Sequence, residues 1–270
     1  MRVKLPKSLL LPIVLVPIVL VWVALGSGPV HADPLRVSAA ANLQKIFTEV
    51  LIPAFTKKTG VPVLATYGAT TVLAAQIENG APIDVFVAAD TVTPERLARE
   101  KLLVASTVQP YAVGQLVVWS RKDAASHPAA LRDLANPAYA KIAFANPKTA
   151  PYGLAAEQSF AAAGVAAAVA PRLVQAENIG QALQFAQSGN AAVALTALSL
   201  VIEDKSDPYF VVPERLHAPI TQSLGLVSTT TQTTQALEFI DFLTSKDAAK
   251  AWKHYGYTLP ALPAQKLKKR

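Results

Sequence analysis

Short apolar runs that give way at once to helical spacing recur along this chain. Residues 35–40 (LRVSAA) read as a strand. The strand breaks at Asn42, and Leu43, Ile46, Phe47, Val50, Leu51 and Phe55 then fall at helical spacing. Asn42 is a favoured residue type for capping that helix start. Residues 61–67 (VPVLATY) are the next strand, and Gly68-Ala69-Thr70-Thr71 leads from it into a helix carrying Val72, Leu73 and Ile77. Thr70 or Thr71 is suited to cap this helix. Residues 84–88 (DVFVA) are apolar enough for a strand inside a parallel sheet covered on both faces. Thr93 is expected to cap the following helix, with Pro94 at its first position.

Residues 108–120 form a long extended stretch containing Gly114, of the kind that carries a chain from one lobe to another. The same pattern then resumes. Residues 141–145 (KIAFA) are a strand, the loop 146–153 (NPKTAPYG) opens a helix around 154–163, and 173–176 (LVQA) is a strand whose helix starts at 177–181 (ENIGQ). Strands follow at 191–195, 209–212 and 220–227, the last containing Gly225 and suited to a return crossing. Residues 232–255 make a strong amphipathic helix that Ser245-Lys246-Asp247 is placed to divide.

Alternating strands and helices predict an α/β fold with mostly parallel sheets. Such sheets hold ligands at the carboxyl ends of their strands. Asn42, Thr70, Tyr152 and Ile179 all lie at such ends, each at or just before a helix start. Helix N-termini carry roughly half a positive charge and free N–H groups, so four of them facing one cleft would hold an anion without lysine or arginine.

The formal charge of +7 does not alter this picture. Seven of the 25 basic residues lie at the ends: Arg2, Lys4, Lys7, Lys266, Lys268, Lys269 and Arg270. The remaining 18 balance the 18 acidic residues, so residues 33–265 are formally neutral and offer no basic face for nucleic acid. The first cluster precedes an apolar run, and Val30-His31-Ala32 has the form of a signal-peptidase site. Residues 1–32 are therefore expected to be a cleavable export signal. There is no cysteine, hence no disulfide and no thiolate metal site.

The inventory for catalysis is poor. Gly-x-Ser-x-Gly, Walker-type and Gly-x-Gly-x-x-Gly motifs are absent. His127, His217 and His254 are far apart and lack zinc spacing. Glu177 and Asp90 read as loop and capping residues rather than general bases. An enzyme acting on a small anion would have to rely on Thr70, Thr71 or Glu177, with no histidine placed to activate them.

Residues 35–43 (LRVSAAANL), 68–90 (GATTVLAAQIENGAPIDVFVAAD), 114–119 (GQLVVW), 144–158 (FANPKTAPYGLAAEQ), 174–182 (VQAENIGQA) and the ending FIDFLTSKDAAKAWKHYGY together resemble the periplasmic molybdate-binding proteins of molybdate ABC importers. The resemblance spans nearly all of 35–258, in order. It implies a type II periplasmic-binding fold: two α/β lobes joined by crossing strands. Residues 33–112 and 225–262 would make the first lobe, 113–224 the second, and 263–270 a basic tail. It also implies a monomeric periplasmic receptor that is no enzyme. Such a receptor has no cofactor, binds molybdate or tungstate through neutral donors, and delivers it to a membrane permease. Molybdenum would be met only as the oxyanion. Matched by position, the ligand-binding residues are Asn42 and Thr70 in the first lobe and the backbone N–H groups of Tyr152 and Ile179 in the second. The family commonly has serine at the first two positions. Ala41 stands where some relatives have threonine, and Ala197 where some have a tyrosine donor. A receptor for sulfate or phosphate is the nearest alternative.

Overall fold

The structure, a computed structural model, describes residues 33–260. The expected export signal (1–32) and basic tail (263–270) lie outside the described residues. Ten strands form two five-stranded sheets. The first has the order β2-β1-β3-β10-β4, built from β1 (Leu35–Ala40), β2 (Val63–Gly68), β3 (Val85–Val87), β4 (Gln109–Gly114) and β10 (Ile220–Leu226). The second has the order β7-β6-β8-β5-β9, built from β5 (Leu116–Trp119), β6 (Ile142–Ala145), β7 (Leu173–Ala176), β8 (Val193–Ala197) and β9 (Tyr209–Val211).

In each sheet four strands run one way and one runs against them. The odd strand is β10 in the first sheet and β5 in the second. The parallel strands β1, β3, β6 and β8 are largely buried, which is why they read as unbroken apolar runs. The stretch expected to be one long strand at 108–120 is two strands in different sheets, parted at Gln115. The chain changes sheet there and returns between Val211 and Ile220, rather than at the expected 112/113 and 224/225. Both β4 and β10 thus belong wholly to the first sheet, where they pair with a bulge between Gln222 and Ser223.

The C-terminal helix is divided, into Thr233–Leu243 and Lys246–His254, with Ser245 capping the second through Ala248 N–H. Both helices pack on the first sheet, where Phe47, Phe55, Phe239 and Trp252 are fully buried and meet edge-on or tilted. Trp252 Nε1 donates to Leu243 O at 2.9 Å, which satisfies the indole inside this core. The first helical segment runs from Ala41 to Thr59 and takes a π turn over Phe47–Leu51 just before Pro53. Proline has no N–H to continue the regular ladder, so the irregular turn falls beside it. No single helix among the described residues is long and apolar enough to cross a membrane.

Candidate functional site

Asn42, Thr70, Tyr152 and Ile179 line one small, nearly closed pocket of about 10 Å³ at the carboxyl ends of the parallel strands. Ala40, Ala41, Gly68, Ala69, Ala89, Ala150, Pro151 and Asn178 complete its wall, and none of the twelve lining residues is charged. All four residues are buried, with Asn42 and Thr70 each only 1% exposed. Two come from helix starts above the first sheet and two from helix starts above the second.

The donors that these helix starts leave free follow from their first turns. The helix Pro151–Ala162 begins with a residue that has no N–H, and Gly153 and Leu154 N–H both reach Ala150 O. Tyr152 N–H is the one left over. A side chain on Gly153 would place its Cβ 2.3 Å from Ala145 O, so only glycine lets this helix start sit so close to the end of β6. In the helix Ile179–Gln187, Asn178 Oδ1 accepts from Gln181 N–H, leaving the N–H groups of Ile179 and Gly180.

In the first-sheet half, the expected capping roles are not played. No side chain caps Ala41–Leu43; Asn42 lies within that single 3-10 turn, and its amide faces inward. Thr70 does not cap the helix Thr70–Glu78 either. Its Oγ1 accepts from Ala89 N–H at 3.1 Å, which leaves the hydroxyl hydrogen free to donate. Thr71 N–H and Oγ1 both donate to Thr149 O at 3.2 Å, joining the two halves at the pocket's edge. Similarly, Thr93 is not the cap of its helix, which begins at Val92 with Pro94 third. Asp90 Oδ1 accepts from Thr93 N–H at 2.8 Å, and Oδ2 accepts from the Thr93 hydroxyl. At Asn42 and Thr70 local cap preferences lose to tertiary partners, whereas at Thr93 a nearer residue, Asp90, takes the N–H at the helix start.

Behind the pocket lies a buried polar network that the sequence pattern did not disclose. Gln222, fully buried on β10, bonds Asn42, Tyr111 and Tyr152. Tyr257 OH lies 2.8 Å from Asn42 Nδ2 and 3.0 Å from Ser199 Oγ, and Ser199 Oγ donates to Asn42 O at 2.8 Å. Tyr111 and Tyr152, isolated in sequence, are thus joined through one glutamine. Burial pushes the phenols of Tyr111, Tyr152 and Tyr257 up, so they stay neutral donors. The available signal was the polar pair Gln222-Ser223 inside an otherwise buried strand.

Glu177 is exposed and does not line the pocket; its N–H donates to Gln181 Oε1. Burial pushes the Asp90 carboxyl up. His127 and His254 are exposed, His217 is half-buried, and none reaches the pocket. Among the described residues no cluster of three metal-ligating side chains occurs. A wider groove of about 550 Å³ opens beside the pocket, lined by Thr71, Asp90, Lys148 and Gln158 among others.

Two five-stranded sheets with paired helix starts around a small uncharged pocket define a solute-binding protein of the two-lobed class. The chain belongs to the bacterial extracellular solute-binding protein family, whose sequence profile matches residues 35–258. It is 38% identical to the molybdate-binding protein ModA of Azotobacter vinelandii over 248 residues, 88% of this chain and 96% of that protein. It is 34% identical to ModA of Rhodobacter capsulatus, over 85% of this chain and 90% of that one. Its structure matches that of the Azotobacter vinelandii periplasmic molybdate-binding protein with a TM-score of 0.79, covering 84% of this chain and all of the other.

Proposed function

We propose that this protein is the receptor of an ABC importer for molybdate or tungstate, and that Asn42, Thr70, Tyr152 and Ile179 hold the oxyanion. The observation that carries this reading is an uncharged pocket lined by helix starts of both halves, at which the Thr70 hydroxyl and the Tyr152 and Ile179 N–H groups have no acceptor in the protein. A tetrahedral dianion accepts from every direction, and such a pocket offers donors with no acidic residue to accept a proton. Relatives of more than 30% identity named for molybdate binding support the choice of anion. The protein acts by binding and release, without catalysis or cofactor.

The receptor works as a monomer in the periplasm after loss of residues 1–32. Donors from both halves surround one anion only when the halves are together, so the anion favours the closed arrangement and the membrane permease reads that shape. The passages at Gln115 and between Val211 and Ile220 are where the backbone turns. Sulfate, the smaller dianion, makes fewer simultaneous contacts and is rejected by size. Calorimetry of residues 33–270 with molybdate, tungstate, sulfate and phosphate tests this. Binding of one molybdate or tungstate, with sulfate far weaker, is expected. Sulfate or phosphate competing as well as tungstate overturns the assignment.

A further inference from the structure

Two features of the network behind the pocket are at odds with its hydrogen count. Asn42 Oδ1 is buried with no hydrogen-bond partner. Tyr111 OH has one hydrogen and faces two acceptors, Ala88 O at 3.0 Å and Gln222 Oε1 at 2.7 Å. Both conflicts arise from the same direction of bonding, in which Asn42 Nδ2 donates to Gln222 Oε1 at 2.8 Å and to Tyr257 OH, and Gln222 Nε2 donates to Tyr152 OH at 3.0 Å.

A carboxamide turned through 180° exchanges its donor and acceptor corners in nearly the same space. With both amides turned, Gln222 Nε2 donates to Tyr111 OH and Asn42 Oδ1, and Gln222 Oε1 accepts from Tyr152 OH. Tyr111 then donates to Ala88 O alone. Asn42 Oδ1, the orphan, gains Gln222 and Tyr257 as donors; Tyr257 gives up its 3.1 Å bond to Asn42 O, which still accepts from Ser199 Oγ at 2.8 Å. The only group left without a partner is the Asn42 NH₂, on a residue that lines the pocket. An anion there supplies the missing acceptor.

We propose that Gln222 is a positioning residue for the anion: it donates to Asn42 Oδ1 in the loaded protein and so turns the Asn42 amide to donate into the pocket. This rests on the oxyanion-receptor reading above. Gln222 also reaches Tyr152 in the other half, so the turned pair depends on the two halves being together. Gly114 gives this contact its room: a Cβ there would lie 1.9 Å from Tyr152 OH and 2.5 Å from Gln222 Nε2.

The test is a double-mutant cycle read by tungstate calorimetry, with thermal unfolding to check each fold. Gln222→Glu presents only acceptors to Asn42 when ionised, and Gln222→Met removes the amide with little change of size. Each is expected to weaken tungstate binding roughly 10- to 100-fold, the weight of one hydrogen bond to a charged group. In an Asn42→Ala background the same changes should cost less than about threefold, since the amide they position is gone. Full additivity in a folded protein overturns the proposal, as does normal binding by both single variants. Selective ¹⁵N labelling of asparagine gives a second readout: the Asn42 NH₂ signal should move on adding tungstate, and an unmoved signal at saturation counts against the turn. Wild-type protein that binds neither tungstate nor molybdate overturns the receptor reading instead, so the two failures are distinct.

Discussion

The two halves of the pocket provide donors of different kinds. The first-sheet half would offer side chains: the Thr70 hydroxyl, whose oxygen is held by Ala89 N–H, and the Asn42 amide once it is turned as proposed, since its hydrogens otherwise go to Gln222 and Tyr257. The second-sheet half offers backbone, the N–H groups of Tyr152 and Ile179, held by the geometry of two helix starts. A side-chain donor is deleted by one substitution. A backbone donor survives any substitution but proline at its own position and is otherwise vulnerable only through the residues that fix the helix start. The second half should therefore be broken by changes at glycine or at a cap, and the first by changes at the donor itself.

Gly153→Ala should have the largest effect. Its Cβ would meet backbone, Ala145 O, at 2.3 Å, so the helix start must move and carry Tyr152 N–H with it. Loss of one charged hydrogen bond of ~3 kcal/mol corresponds to about 100-fold weaker binding, and the melting temperature should fall as well. Tyr152→Phe keeps the N–H and should cost less; a Phe variant that binds worse than Gly153→Ala would mean the side chain, not the backbone, matters.

Thr70→Ala comes next, at roughly 10- to 100-fold. Thr70→Ser keeps the hydroxyl and should bind within a few-fold of wild type. Glu177→Gln, whose carboxylate lies outside the pocket, should bind normally. Reversal of the Thr70 and Glu177 results in a titration would place the anion elsewhere.

Asn178→Ala should be milder, removing a cap from the helix that carries Ile179 N–H. Such a loss costs about 1 kcal/mol of stability and should appear as a lower melting temperature with a small loss of affinity. An unchanged melting curve would show that this helix start is held by something other than its cap.

The smallest effect is that of pH. The ionisable groups nearest Asn42 are buried tyrosines that burial keeps protonated, so affinity should be flat between about pH 6 and 9. The folded protein holds these phenolic protons where the unfolded chain loses them, near pH 10. Their contribution to stability is therefore intact below about pH 10 and is lost as pH rises above it. A steep loss of affinity in the neutral range would reveal a titrating ligand that the account lacks.

How much of this was legible in the sequence follows the same division. The strand-to-helix switches at Asn42, Thr70, Tyr152 and Ile179 are local events, written in consecutive residues, and the pattern found all four. The roles of the polar side chains were not local. Asn42 and Thr70 have the composition of caps, yet their partners Gln222 and Ala89 lie 180 and 19 residues away. Tyr111 and Tyr152 meet through Gln222 at separations of 111 and 70 residues. Periodicity reports which face of an element is buried. It does not report which buried polar atoms find each other, because that depends on how two sheets are brought together.

The central claim is that an oxyanion sits between four helix starts with neutral donors and no cationic side chain. The most direct measurement is a crystal structure of residues 33–270 with tungstate, the metal located by its anomalous scattering. One strong peak is expected within hydrogen-bonding reach of the Thr70 hydroxyl, the Asn42 amide and the N–H groups of Tyr152 and Ile179. A peak in the wider groove beside Lys148, or against any arginine or lysine, would contradict it.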